Sequence, residues 1–273
     1  MLNIIYILLC IASTCAVSIN FIDAWQDIWI IPTTFIASYV VCIILFFITL
    51  WLGSRFVNRN KQYNKFSKGF HNFMAYCLEF MMLPFRMRIK CKGFEKLPKD
   101  KKFLLVCNHL SNFDPLVTYI KLRKYPLAFI SKPSSFKIPL AGNLMIRNGF
   151  IPINRENDRE ALQSIIRAIK HISSDEFCVA VYPEGTRNKT DETLLPFKSG
   201  CFKIATKTNC PVVVMSIKGT DKVTKRYPLK STKVSLEVLD VLNPQDFEGT
   251  VELSDHAKEL IEKNLLESEN GKQ

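Results

Sequence analysis

His109 and Asp114 stand five positions apart, and theirs is the spacing around which the chain can be read as doing chemistry. Histidine is the side chain whose proton affinity lies near neutral pH. A carboxylate curled back onto one ring nitrogen would fix its tautomer and leave the other nitrogen free to take a proton. The pair falls in Cys107-Asn108-His109-Leu110-Ser111-Asn112-Phe113-Asp114-Pro115, after the apolar run Phe103–Val106 and before Leu116–Leu122. The run predicts a buried strand and the following segment a helix, so both residues are expected on a strand-to-helix turn. A plainer reading also fits: Asp114 before Pro115 makes a good helix N-cap, and Asn108 and His109 could bridge a strand end through side-chain hydrogen bonds. The stretch by itself does not choose between a positioned general base and a structural turn.

Two further turns carry candidate groups. Gly149–Arg155 and Val179–Arg187 each carry the end of a short apolar strand and each end in arginine. A guanidinium at a strand end can grip a phosphate with two parallel hydrogen bonds. Taken singly, Pro183-Glu184-Gly185-Thr186 is an ordinary turn sequence, and a lone loop arginine is usually solvated. What distinguishes Arg155 and Arg187 is their shared position beyond apolar strands.

The elements that must hold these groups are short apolar runs alternating with helical stretches. Strands are predicted over 87–91, 103–106, 127–130, 150–152, 177–181, 212–217 and 234–241. Helices are predicted over 116–122, 140–146, 158–172, 199–206 and 251–266, with a frayed tail from Glu267 to Gln273. This alternation predicts an α/β fold with a largely parallel sheet flanked by helices, whose strand-end loops display the chemistry.

Charge and hydropathy are segregated along the chain. Residues 1–53 contain no Lys or Arg and only Asp23 and Asp27 as acids, so the remainder carries all 37 basic residues against 23 acids, a balance of +14. Leu2–Ile22 and Ile28–Leu52 are each long enough to cross a bilayer core of about 20 helical residues. Joined by the acidic turn Asp23–Asp27, with Trp25 and Trp29 suited to the interface, they predict a transmembrane hairpin over 1–53. The alternative is a single span with Leu2–Ile22 lying in the interface, since Ser13, Thr14, Ser18 and Asn20 weaken the first run. Arg55, Arg59, Lys61, Lys65 and Lys68 follow the second run, which places the body on the cytoplasmic face by the positive-inside rule. Residues 54–92 read as a basic amphipathic linker on the membrane, with core packing as the alternative use of its apolar stripe, and 93–273 as the cytosolic domain. The nine cysteines form neither a zinc pattern nor a disulfide framework and suit a reducing compartment.

Taken in order, these turns resemble the boxes of the 1-acylglycerol-3-phosphate (lysophosphatidic acid) acyltransferases. Asn108, His109 and Asp114 match an Asn-His-x-x-x-x-Asp box, and Gly149–Arg155 a Gly-x-x-x-x-x-Arg box. Tyr182–Arg187 is similar to an aromatic-Pro-Glu-Gly-Thr-Arg box, and Cys210–Met215 resembles a fourth, with Val214 in place of a second proline. The resemblance covers about Phe94 to Gly219.

It implies a glycerolipid acyltransferase-like fold and transfer of a fatty acyl group from acyl-CoA or acyl carrier protein to the sn-2 hydroxyl of lysophosphatidic acid, giving phosphatidic acid in phospholipid biosynthesis. His109 is then the expected base, supported by Asp114. Arg155 and Arg187 are expected at the acceptor's phosphate, Glu184, Gly185 and Thr186 in the same pocket, and Asn108 and Lys132 as further substrate-binding residues. No metal or other cofactor is expected, and nucleic acid is not an expected partner. The alternatives are a family member acting on glycerol 3-phosphate or another lysolipid, a non-catalytic basic membrane-binding protein, and a metal-dependent phosphohydrolase, for which ligands are missing.

Overall fold

The computed structural model describes residues 2–22 and 24–270. The chain divides into two compact units, Met1–Asn58 and Arg59–Gln273.

The first unit is a helical hairpin. Helix α1 (Leu2–Phe21) and helix α2 (Ile30–Arg55) are joined through a short 3-10 turn, Trp25–Trp29. Asp23 of the expected acidic turn lies outside the described residues. Small side chains let the helices approach and bond: Ser13 Oγ lies 2.7 Å from Ser38 Oγ, and Cys10 Sγ 3.5 Å from Cys42 Sγ. Around this seam Leu8, Leu9, Ile36, Ile44 and Phe47 stay exposed, an apolar surface suited to lipid. Among the described residues one helix, Asp27–Arg55, is long and apolar enough to cross a membrane, with a mean hydropathy of 2.6. The apolar part of α1 is the shorter Ile7–Phe21.

The second unit opens with α3 (Lys68–Met82), whose stripe Met74, Ala75, Cys77 and Met82 is buried. These residues pack into the unit, while Met81 of the same stripe stays exposed. His71 explains the docking: its Nδ1 accepts the Tyr119 hydroxyl at 2.7 Å and its Nε2 donates to the Arg123 carbonyl at 3.0 Å. A satisfied buried polar pair of this kind fixes orientation as well as position.

Seven strands follow: β1 (Met87–Lys92), β2 (Leu104–Cys107), β3 (Leu127–Ser131), β4 (Ile151–Pro152), β5 (Cys178–Val181), β6 (Val212–Lys218) and β7 (Thr232–Leu242). They form one sheet in the order β1-β7-β6-β2-β5-β3-β4. All pairs are parallel except β6 with β7, where the register shifts at Val214/Met215. The sheet takes in β1, upstream of residue 93. Between and after the strands lie α4 (Phe113–Lys121), α5 (Ala141–Arg147), α6 (Asp158–Ser173), α7 (Lys203–Thr208), α8 (Val223–Arg226) and α9 (Thr250–Asn270). Where a frayed tail was expected, α9 continues through Asn270, and residues 271–273 lie outside the described residues.

β2 is buried along its whole length because helices cover both faces. On one face Leu104 and Val106 join Val179, Val212, Ala168 of α6, Phe202 and Ile261 of α9 in a continuous core. On the other, Tyr119 of α4 packs against Phe129 and Phe150. Since β2, β3, β4, β5 and β6 run parallel, their C-terminal ends share one edge, and the turns leaving them face the same side of the sheet.

Candidate active site

At the end of β2 the chain is pinned before it turns. Asn108 is fully buried; its amide donates to the Ile217 carbonyl at 3.0 Å and accepts the Ile217 N–H at 2.8 Å. Both ends of this side chain are therefore engaged with β6, which locks the strand end as the plainer reading of Asn108 anticipated. His109 follows with its ring part-exposed.

Asp114 is not the N-cap that its place before Pro115 suggested. The cap is Asn112, α4 begins at Phe113, and the Asp114 side chain turns back over the loop. Oδ2 accepts from His109 Nδ1 at 2.8 Å, from Leu110 N at 2.6 Å and from Ser111 N at 2.7 Å. Oδ1 accepts from Thr220 Oγ1. A buried carboxylate is tolerated when its lone pairs are matched by donors in this way. Because a carboxylate can only accept, His109 Nδ1 carries its proton and Nε2 is left as the basic nitrogen. Asp114 is wholly shielded while His109 keeps 18% of its side chain accessible, the combination of a fixed orienting group and a reachable base.

The turn after β5 closes on the same histidine. Tyr182 stacks on the His109 ring, with centroids 4.3 Å apart and planes inclined by 20°. Burial pushes its phenol well above the ordinary range, so it stays protonated. Gly185 N donates to Tyr182 O at 3.0 Å, closing a four-residue turn with Pro183 second and Gly185 last, at a φ of 75° that favours glycine. Glu184 is buried inside this turn. Its Oε1 accepts the His109 N–H at 2.5 Å and its Oε2 the Leu195 N–H at 3.1 Å. Burial raises the Glu184 carboxyl above its usual range, and these two N–H bonds pull against that. Asn188 N in turn donates to the His109 carbonyl at 2.7 Å.

The remaining expected residues are distributed along the same edge. Thr186 and Arg187 continue the Tyr182 turn, with Thr186 exposed. Arg155 sits in the turn after β4, braced by Ser164 Oγ to the Pro152 carbonyl (2.7 Å) and by Asn154 and Asn157 bonding the Glu160 carboxylate. Lys132 follows β3 and is exposed. The arrangement brings His109, Asp114, Glu184 and Asn108 into one bonded network. Arg155, Arg187 and Lys132 share its edge of the sheet without joining that network.

Sequence reasoning missed Thr220, the Tyr182 stack and the backbone clamp by Glu184. A usable signal for Thr220 was present: it stands just past β6, a neighbour of β2, at a strand end. Cys107, next to the pair, is no nucleophile. Burial, reinforced by the Asp114 and Glu184 carboxylates, holds its thiol well above the ordinary range. Among the described residues no cluster of three or more His, Cys, Asp or Glu could hold a metal ion. A hollow at the start of α9, lined by Glu248, Glu252, Asp255 and Glu259, includes no residue of the histidine turn.

Residues 88–218 match the family described as Acyltransferase. A chloroplastic 1-acyl-sn-glycerol-3-phosphate acyltransferase of Brassica napus is 34% identical over 163 residues, covering 59% of this chain and 46% of that protein. The 1-acyl-sn-glycerol-3-phosphate acyltransferase of Borreliella burgdorferi is 27% identical over 180 residues, covering 64% and 71%. The chain thus spans less than half the length of the plant relative and about seven-tenths of the bacterial one. Among solved structures, the 1-acyl-sn-glycerophosphate (LPA) acyltransferase PlsC of Thermotoga maritima superposes with a TM-score of 0.59 at 25% identity, over 74% of this chain and 79% of that one. With its boxes in order on one sheet edge, the chain is similar over residues 88–218 to the acyltransferase family, and these relatives are 1-acyl-sn-glycerol-3-phosphate acyltransferases.

Proposed function

We propose that this protein transfers a fatty acyl group from a thioester to the sn-2 hydroxyl of 1-acyl-sn-glycerol 3-phosphate, giving phosphatidic acid for phospholipid synthesis. The observation that carries this reading is the His109–Asp114 pair, with Nδ1 bonded to a buried carboxylate and Nε2 left as the basic nitrogen. A secondary alcohol is a poor nucleophile at neutral pH. His109 Nε2 takes its proton as the oxygen attacks the thioester carbonyl, then returns that proton to the leaving thiolate. Asp114 holds the ring and stabilises the imidazolium that forms between the two transfers.

The acceptor's phosphate is assigned to Arg155 and Arg187, with Thr186 and Lys132 as further polar contacts at the same edge. Glu184, Gly185 and Asn108 are given positioning roles. Glu184 orients the His109 backbone, Gly185 permits the turn that carries Glu184, and Asn108 fixes the strand end against β6.

In this reading α1 and α2 form the membrane anchor. The cluster Arg55, Arg59, Lys61, Lys65 and Lys68 then puts the catalytic unit on the cytoplasmic face, where a phospholipid bilayer supplies the acceptor and takes up the product. The test is acyl transfer by the full-length protein in nanodiscs to a panel of lysophospholipids and glycerol 3-phosphate. Preferred turnover of lysophosphatidic acid, with phosphatidic acid as product, supports the assignment. Preferred turnover of glycerol 3-phosphate or a zwitterionic lysolipid moves the acceptor elsewhere within the family.

A further inference from the structure

The sheet order places the two arginine turns on one side of β2, after β5 and β4. On the other side, toward β6, β7 and β1, lies a basic groove that the chemistry above leaves unused. Edge strand β1 carries Arg88, Lys90 and Lys92 at alternate positions, which puts all three on one face at steps of about 6.6 Å. The register sets Arg88 opposite Lys233, Lys90 opposite Ser235 and Lys92 opposite Glu237 of β7. These residues line a groove of about 1060 Å³, at the top of the roughly 300–1,000 Å³ range of small-molecule sites. Arg88, Lys90, Lys92 and Lys233 are exposed and make no ion pair among the described residues. The groove is continuous with the reacting turn: Leu110 and Asn188 also line it, and these are the residues whose N–H groups bond Asp114 Oδ2 and the His109 carbonyl.

We propose that this groove binds the nucleotide handle of the acyl donor, a ribonucleotide carrying a pyrophosphate and a separate ribose phosphate, as in a coenzyme A thioester. The proposal rests on the acyl-transfer reading and adds to it the donor's class and place. A row of cations spread over about 13 Å of strand matches several phosphates held apart by a sugar better than it matches one phosphate. The acceptor's single phosphate is assigned to Arg155 and Arg187, in the turns after β4 and β5. Groove acids such as Asp191, Glu192 and Asp221 can accept from the amine of a purine and from ribose hydroxyls. On an acidic carrier protein the same acids would meet like charge, and a concave site would fit its convex surface poorly. The donor then approaches His109 from the β6 side and the acceptor from the β5 side.

The experiment uses full-length protein in nanodiscs of neutral phospholipid, with adenosine 3′,5′-bisphosphate as the binding probe. Wild type is expected to bind it more tightly than adenosine 5′-monophosphate. Lys90→Gln/Lys92→Gln is expected to weaken binding of the bisphosphate at least tenfold and to raise KM for acyl-CoA by a similar factor. Its kcat, its KM for lysophosphatidic acid and its melting temperature are expected to stay close to wild type. If that variant melts early, Arg88→Gln and Lys233→Gln singly are expected to weaken the same binding severalfold. Unchanged bisphosphate affinity in all variants, or no binding by wild type, overturns the proposal even where acyl transfer itself is observed. Loss of binding to anionic vesicles with bisphosphate affinity intact also overturns it, because the groove would then be a headgroup surface. Bisphosphate binding that the variants weaken, in a protein that transfers no acyl group, upholds the nucleotide site and removes the acyl-transfer reading instead.

Discussion

Glu184 Oε1 accepts the backbone N–H of His109 at 2.5 Å, so a carboxylate on the turn after β5 holds the turn after β2. The same side chain reaches Leu195 N with its other oxygen. Two loops far apart in sequence are therefore oriented by one buried group, and the histidine is fixed from its backbone as well as from its ring.

Replacing that group separates positioning from chemistry. Glu184→Ala leaves two shielded N–H groups unmatched, at a cost of about 1–3 kcal/mol each when buried. A melting temperature lowered by several degrees is expected, together with a fall in kcat. Glu184→Gln keeps one acceptor oxygen and is expected to recover part of both. Thermal melts beside steady-state kinetics check this; a Glu184→Ala protein with wild-type kcat would show that the His109 backbone needs no such clamp.

Asp114→Asn should lower kcat by about 10²–10⁴-fold with little change in either KM, because the ring loses its charge partner and its fixed tautomer. Thr220 acts through Asp114, donating to Oδ1. Thr220→Val is expected to reduce kcat about tenfold by leaving that oxygen short of a donor, an effect of roughly 1–2 kcal/mol. Thr220→Ser restores the hydroxyl and should restore the rate, an outcome that mere packing of the threonine methyl would not give.

Arg187→Ala and Arg155→Ala should raise KM for the phosphorylated acceptor about 10–100-fold, the scale of a lost charge-assisted hydrogen bond. KM for the thioester should stay near wild type. A rise confined to the thioester would move these arginines to the donor.

His171 makes stability depend on pH. It is buried, its Nε2 bonds the Gly149 carbonyl at 2.9 Å, and burial pushes its proton affinity down to about 4. A histidine whose folded value lies below its unfolded value near 6.5 stabilises the fold fully above about pH 6.5. That stability is lost as the pH falls from about 6.5 to 4, because only the unfolded chain takes up the proton there. The shift corresponds to roughly 3 kcal/mol, and His71, lowered by burial as well, acts in the same direction. Denaturant unfolding at pH 7.5 and 4.5 should show the loss, and His171→Gln should reduce its size. An equal loss in the variant would place the acid sensitivity elsewhere.

Sequence legibility followed the range of the interactions involved. The inner strands β2, β3, β5 and β6 were readable because each is a short apolar run, which is what strands buried on both faces require, whereas β1 and β7 alternate exposed and covered positions. The parallel order then made a shared edge for His109, Arg155 and Arg187 foreseeable. Asp114 shows the limit: its type and place before Pro115 satisfy the N-cap pattern, yet three donors on the preceding loop and Thr220 draw the side chain away from the helix end. Contacts between distant turns, such as Glu184 to His109 or Asn108 to Ile217, leave no periodic mark in the chain. For α3, an apolar stripe looks the same whether lipid or protein covers it. The contacts that dock α3 are those His71 makes to Tyr119 and Arg123, which lie 48 and 52 residues further along the chain.

The most direct test is acyl transfer from acyl-CoA to lysophosphatidic acid by purified full-length wild-type and His109→Ala protein, each in nanodiscs, with phosphatidic acid quantified and melting temperature recorded for both. The account predicts that His109→Ala retains its fold and its nanodisc association while its turnover falls by at least about 10²–10⁴-fold, the range a positioned general base supplies. Turnover at the wild-type rate by a folded His109→Ala protein would contradict it.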